Sequence, residues 1–278
     1  MRIALINENS QAAKNGVIYK ALKKVADEKG FEVVNYGMYT AEDKAQLTYV
    51  QNGILAATLL NSGAADFVVT GCGTGEGAML ALNSFPGVIC GHIETPLDAF
   101  TFAQINDGNA VALPFALGFG WGGDLNLEYI FEKLWSKPFG GGYPPERQEP
   151  EQRNKKILDG VRAAGFKPLP EILRSLDRDL VKGAFAGEHF EEYFNRDCRD
   201  ESYKALVKEL TAMLGGQVRV TSEVGRGSMF VVCIPVSPPG GESADDAGDV
   251  IQVVRAEDVD TDKRGDAHDD NCEREGRG

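Results

Sequence analysis

Residues 70 to 77 read Thr70, Gly71, Cys72, Gly73, Thr74, Gly75, Glu76 and Gly77, a single thiol set in a run of alternating glycines. The run follows the apolar Phe67, Val68 and Val69 and precedes the helix-like Ala78 to Leu82, so it predicts a strand that passes through a glycine loop into a helix. Glycine lets the main chain approach a ligand closely, and the free amides at a helix start favour an anion, so a phosphate or a developing enediolate suits this loop. A thiol at its mouth is then a candidate base or nucleophile. The competing reading is that Cys72 is a small apolar residue filling a tight turn. Glu76 is read as a solvated carboxylate favoured by the dipole of the helix it opens.

The elements that must hold this loop are legible as an alternation of strand and helix signals. Ile3 to Ile6 is a short apolar run, followed by Val17, Ala21 and Val25 on a helical period. Phe31 to Tyr36 repeats the strand signal, Leu47, Val50, Ile54 and Ala57 the helix signal, and Phe67 to Thr70 supplies a third strand. Val88 to Gly91 and Val111 to Pro114 give a fourth and a fifth. These runs are too apolar for strands with one wet face. They predict a Rossmann-like three-layer α/β/α sandwich with a five-stranded, mostly parallel sheet. Ligands of such sheets bind beyond the carboxyl ends of the strands, where Cys72 falls.

Beyond the sheet, the Gly- and Pro-rich Phe139 to Pro145 and the charged Glu146 to Lys156 mark its end. Helices are expected over Ile157 to Ala164, Pro170 to Val181 and Glu188 to Phe194, followed by a C-terminal helix and hairpin. Composition narrows the function. A formal charge of −13 disfavours nucleic acid and anionic membranes as partners. Five cysteines at wide, uneven spacing read as reduced and cytoplasmic, and no apolar run approaches the roughly 18 residues of a membrane span. His92, His189 and His268 show no metal-ligand spacing, so no metal is expected.

Over about residues 1 to 157 the chain resembles the ribose-5-phosphate isomerase B and galactose-6-phosphate isomerase family. The resemblance rests on the Cys-Gly-Thr-Gly-x-Gly loop, on Asn106, Asp107, Gly108, Asn109 before strand five, and on Gly140 to Gly142 followed by arginines. It implies a small phosphorylated sugar as substrate, no cofactor, and a homodimer with sites near the interface. It assigns the base to Cys72, the enediolate contacts to Thr74 and the amides from Gly73 through Gly75 to Gly77, and the phosphate to Arg147 or Arg153. That chemistry suits an aldose-ketose isomerase, which needs a base at the carbon acid and donors where negative charge develops. Some relatives use a glutamate four residues after the loop threonine; that position is Ala78 here.

The departures are equally specific. Strand one ends in Glu8 and Asn9 where the family has Asp-His, and these two are carried as substrate-binding positions. The ring-opening histidine before Asn106 is replaced by Ile105, which cannot transfer a proton. Either the substrate is open-chain, or His92, after strand four, takes the role. Asn106 is read as a substrate contact, with turn formation as the plainer alternative.

Ala205 to Pro235 resembles the last helix and hairpin of the ATP-binding domain of sensor histidine kinases, without the parts upstream that hold nucleotide. From Pro238 to Gly278 there are 13 Asp and Glu against 5 Lys and Arg, which reads as a disordered tail. The expected organisation is an isomerase domain 1–157, a helical extension 158–200, a kinase-like helix and hairpin 201–237 and an acidic tail 238–278. A non-catalytic sugar-phosphate- or nucleotide-binding regulatory module is the alternative function, but phosphate binding alone would need the glycines and not the thiol. A dinucleotide enzyme is disfavoured because Asn7 to Asn15 contains no glycine.

Overall fold

The computed structural model describes residues 1–212 and the backbone of three later strands, and it divides into two compact units, Met1–Ala212 and Met213–Gly278. The first unit is built on five strands: β1 (Arg2–Ile6), β2 (Glu32–Asn35), β3 (Phe67–Cys72), β4 (Cys90–His92) and β5 (Ala110–Pro114). They lie in the order β2-β1-β3-β5-β4, every pair parallel. The chain steps from β1 to β2 on one side and returns to β3 on the other, so the strand order reverses between β1 and β3. Sheets of this kind have their ligand crevice at the carboxyl ends of the strands at such a point.

Alternate residues of each strand serve two cores, as expected for strands buried on both faces. Ala4, Ile6, Val68, Ala110 and Ala112 pack beneath α2 (Tyr49–Asn61) and α3 (Glu76–Asn83). Ile3, Leu5, Val69, Val111 and Leu113 pack beneath α1 (Asn15–Glu28) and α5 (Gly123–Leu134), with α4 (Pro96–Thr101) and a π-helical turn, Phe102–Asn106, alongside. Thr48 closes the start of α2 with a reciprocal bond to Gln51.

The extension packs its last four helices on the α2 face, while its first lies against the π-helical turn. It comprises α6 (Gln148–Gly165), α7 (Leu169–Ser175), α8 (Arg178–Ala184), α9 (Phe190–Asp197) and α10 (Glu201–Thr211). Where one helix was expected over Pro170 to Val181, two form, because Asp177 caps a new start by accepting from the Leu180 amide at 2.8 Å. The charged stretch Glu146 to Lys156, expected to mark the end of the sheet, is mostly helix α6. Helix α10, expected to belong with the hairpin, lies in the first unit, where Leu206, Val207 and Leu210 join the core.

One buried carboxylate ties this extension down. Asp197, 2% exposed, accepts from Tyr36 Oη at 2.8 Å and from both ends of the Arg196 guanidinium at 2.7 and 2.9 Å, with Arg2 at 3.5 Å. Burial alone would push its carboxyl up, but the Arg196 and Tyr36 bonds outweigh it and hold it below the usual range. The same burial, followed by the bond to Asp197, pushes the Tyr36 phenol up.

In the second unit β6 (Gln217–Glu223), β7 (Gly227–Cys233) and β8 (Ile251–Arg255) form an antiparallel sheet in that order. β8 falls inside the stretch expected to be disordered; the remainder of that stretch lies outside the described residues.

Candidate active site

β3 delivers Cys72 to the carboxyl edge of the sheet, opposite Pro114 of β5. The thiol is largely buried, at 8% exposure. The loop after it is fastened to the segment that follows β5: Phe115 N donates to Cys72 O and Ala116 N to Gly73 O, both at 2.9 Å. The amides of Gly73, Thr74 and Gly75 donate to no other described residue. Uncommitted amides at the head of α3 and beside the thiol are donors suited to an oxyanion. Thr74 is exposed.

Gly75 is the residue the loop cannot replace. Its φ of +80° is left-handed, and a Cβ there would lie 2.7 Å from His92 Nε2 and 2.9 Å from the Leu113 carbonyl carbon. His92 in turn braces the loop: its Nε2 donates to Thr74 O at 2.8 Å, which fixes that nitrogen as the protonated one. Nδ1 faces carboxylates, Glu94 at 3.6 Å and Glu76 at 3.8 Å. The ring is thus engaged with the loop main chain and Glu76 sits at its edge. The Tyr49 ring of α2 lies over Gly77, 3.4 Å from where its Cβ would be.

Across the crevice, Ile6 of β1 pairs with Thr70, so carrying the register on by two residues sets Glu8 level with Cys72. Glu8 is buried, and its two oxygens accept from the Ser10 amide at 2.9 Å and the Ser10 hydroxyl at 2.6 Å. Asn9 is exposed and donates its amide to Leu47 O at 2.7 Å. Asn52, which the sequence pattern did not single out, pins the two strand ends together: Nδ2 donates to Ile6 O and Thr70 Oγ1, each at 3.1 Å. It is fully buried in α2, on a face indistinguishable by period from its apolar neighbours. Lys14, half-buried in a short turn, carries no local signature either. It reaches this edge from the turn before α1, donating to Phe115 O and to Gln11 Oε1 at 2.8 Å.

The other expected site residues gather elsewhere. Asn106 precedes Ala110, which pairs with Val68 at the amino end of β5. The four residues from there to Pro114 span about 13 Å at the usual strand rise, so within one chain Asn106 is remote from Cys72. It is exposed, at the end of the π-helical turn, whereas Asn109 holds the turn before β5 by accepting from Ile89 N at 2.8 Å and donating to Gly87 O at 2.7 Å. Arg147 and Arg153 are exposed on the segment that follows Gly140 and Gly142, whose amides bond Ala103 O and Gln104 O of the same turn at 2.9 Å. The structure therefore brings together Cys72, the Gly73 to Gly77 loop, Thr74, His92 and Glu8 at one edge, and Asn106, Arg147 and Arg153 at the other.

Two further thiols have no place in the crevice. Cys90 is held in β4 by a two-way bond with the Asn83 side chain, at 2.8 and 3.0 Å, and burial pushes its thiol up. Cys198 is buried against Ser62 O and Asp200 O. Among the described residues no cluster of His, Cys, Asp and Glu is arranged to hold a metal, and no helix is long and apolar enough to cross a membrane.

Residues 3–138 match the family described as Ribose/Galactose Isomerase, and residues 164–210 match one described as Ribose-5-phosphate isomerase. Among solved structures, a 4-deoxy-L-threo-5-hexosulose-uronate ketol-isomerase complexed with a tartrate is 58% identical, with a TM-score of 0.74, over 76% of this chain and 99% of that one. A ribose-5-phosphate isomerase from Vibrio parahaemolyticus is 50% identical, with a TM-score of 0.73 and the same coverages. A type B ribose 5-phosphate isomerase from Trypanosoma cruzi, 23% identical with a TM-score of 0.51 over 59% of this chain and 98% of its own, shares the fold.

Proposed function

Because the chain belongs to the ribose/galactose isomerase family, we propose that it interconverts the aldose and ketose forms of a small sugar phosphate with Cys72 as the base. The observation that carries this reading is the thiol set beside three main-chain amides that no other described residue uses. In the forward direction the Cys72 thiolate takes the C2 proton of the open-chain aldose, and the bond electrons form the C1–C2 double bond. The charge collects on O1, facing the amides of Gly73 to Gly75 and the Thr74 hydroxyl. Return of the proton to C1 and passage of the O2 hydroxyl proton to O1 complete the ketose. Hydrogen-bond donors fixed in advance lower such a barrier most where the charge develops, which is here O1. His92 positions the loop through Thr74 O, and Glu8 stands across the crevice as a fixed acceptor for a substrate hydroxyl.

We read the working unit as a homodimer. In that arrangement Asn106, Arg147 and Arg153 of one copy approach the Cys72 edge of the other, which accounts for their separation within one chain. The buried, unpaired Cys72, Cys90 and Cys198 accord with a reducing, cytoplasmic setting. A second reading concerns the substrate: the 58% identical relative acts on a uronate, whose anion is a carboxylate and not a phosphate.

The test is to incubate the protein with ribose 5-phosphate, with four- and six-carbon sugar phosphates and with the hexosulose uronate, following ketose formation by NMR. Turnover of a phosphate supports the first substrate reading, turnover of the uronate alone replaces it with the second, and turnover of none contradicts both. Mixing Cys72→Ala protein with an Arg147→Ala, Arg153→Ala double variant should restore part of the activity if the site is shared between copies. No restoration after subunit exchange contradicts that arrangement.

A further inference from the structure

The carboxyl edge carries a cation for which the assembled mechanism has no use. Lys14 sits at the end of the turn Asn9–Lys14, and its ammonium donates to Phe115 O and to Gln11 Oε1 at 2.8 Å. It also lies 4.7 Å above the centre of the Phe119 ring, so its place is fixed from three directions. An ammonium has three donors; two are committed, and no carboxylate of the described residues pairs with it. A half-buried lysine is ordinarily paired, and this one is held beside the crevice with a donor to spare.

Its link to the Cys72 main chain suits one task. Phe115, whose carbonyl Lys14 binds, donates its own amide to Cys72 O at 2.9 Å. Two hydrogen bonds and one residue thus separate the ammonium from the Cys72 carbonyl, about 9 Å at most by ordinary bond lengths. An open five- or six-carbon chain, at about 1.5 Å per carbon-carbon bond, covers most of that span. With C1 and C2 at the thiol and the chain laid along this edge, its far end is directed toward the ammonium.

We propose that Lys14 binds the anionic end of the substrate, phosphate or carboxylate, and so sets the length of sugar accepted; the inference rests on the isomerase reading above. A charged donor meeting an anion at a partly desolvated edge changes affinity by about ten- to a hundredfold. Lys14→Gln keeps a donor for Phe115 O and removes the charge, whereas Lys14→Arg keeps both. Lys14→Gln should raise KM about ten- to a hundredfold with kcat within about threefold, and Lys14→Arg should stay close to the parent.

The anion itself is probed by calorimetry with inorganic phosphate and with tartrate, which needs no turnover. Weakening of phosphate in Lys14→Gln identifies a phosphate site, weakening of tartrate alone a carboxylate site, and both support the role. Unchanged binding of both anions in a folded Lys14→Gln protein overturns it. Equal losses in Lys14→Arg and Lys14→Gln also overturn it, since packing on Phe119 would then be what matters. A parent that binds these anions through Lys14 but turns over no sugar would instead count against the isomerase reading alone.

Discussion

Gly75→Ala is the sharpest probe of how the loop is built. Two costs add. An L-residue held at a φ of +80° costs about 1–2 kcal/mol. The new methyl would meet His92 Nε2 at 2.7 Å, His92 Cδ2 at 2.8 Å and the Leu113 carbonyl carbon at 2.9 Å. Overfilling of that kind costs about 1–3 kcal/mol, and Leu113 lies in β5, between β3 and β4, where it has least room to move. Together they predict a loss of roughly 2–5 kcal/mol, a fall in melting temperature of about 5–15 °C for a unit of this size. Any relief by loop movement comes at the expense of the amides beside Cys72. Removing the His92 ring separates the parts: His92→Ala alone loses the Thr74 bond, worth about 1 kcal/mol, but in the Gly75→Ala background it also removes two of the three close contacts. The double variant should therefore be about 1 kcal/mol more stable than the sum of the singles, measured by thermal and denaturant unfolding of all four proteins. Additivity within about 0.3 kcal/mol would refute the claim that His92 and Gly75 are packed against each other.

Two other outcomes follow from groups outside the loop. Asp197 has a depressed carboxyl, so its contribution to stability is present above its unfolded value near 4 and is lost as the pH falls through the lower folded value. Asp197→Asn should lower stability at neutral pH and shrink the loss on acidification below about pH 4, as read from denaturant midpoints; an unchanged acid limb would contradict the assignment. Cys90, with its thiol pushed up by burial, should remain unalkylated in the folded protein at pH 8 and react on unfolding, as followed by peptide mass spectrometry. Early labelling of Cys90 would contradict its placement in β4.

The sheet was legible because its strands are buried on both faces: each expected run overlaps an observed strand, and the glycine loop declared its own turn. The helices were less so. Glu146 to Lys156 reads only as a charged boundary, yet α6 needs few apolar contacts and tolerates Pro150 in its first turn. Helix α10 was drawn toward the hairpin by local resemblance, while Leu206, Val207 and Leu210 pack where only the tertiary structure shows. Ile251–Arg255 is a β-branched run hidden by its acidic surroundings. At the site, Cys72 and its glycines are contiguous in sequence and were found by spacing. Lys14 and Asn52 reach the crevice from other elements and have no local signature, and the distance of Asn106 and the arginines follows from strand direction, which residue type does not encode.

The central claim is proton transfer at a sugar carbon by Cys72, and proton NMR in deuterium oxide tests it most directly. The full chain is incubated with the phosphate and uronate panel, and solvent deuterium is sought at the carbon beside the carbonyl. The account predicts incorporation with the parent protein and none with folded Cys72→Ala. Incorporation that survives loss of the thiol would contradict Cys72 as the base, and its absence from the parent with every sugar would contradict isomerisation itself.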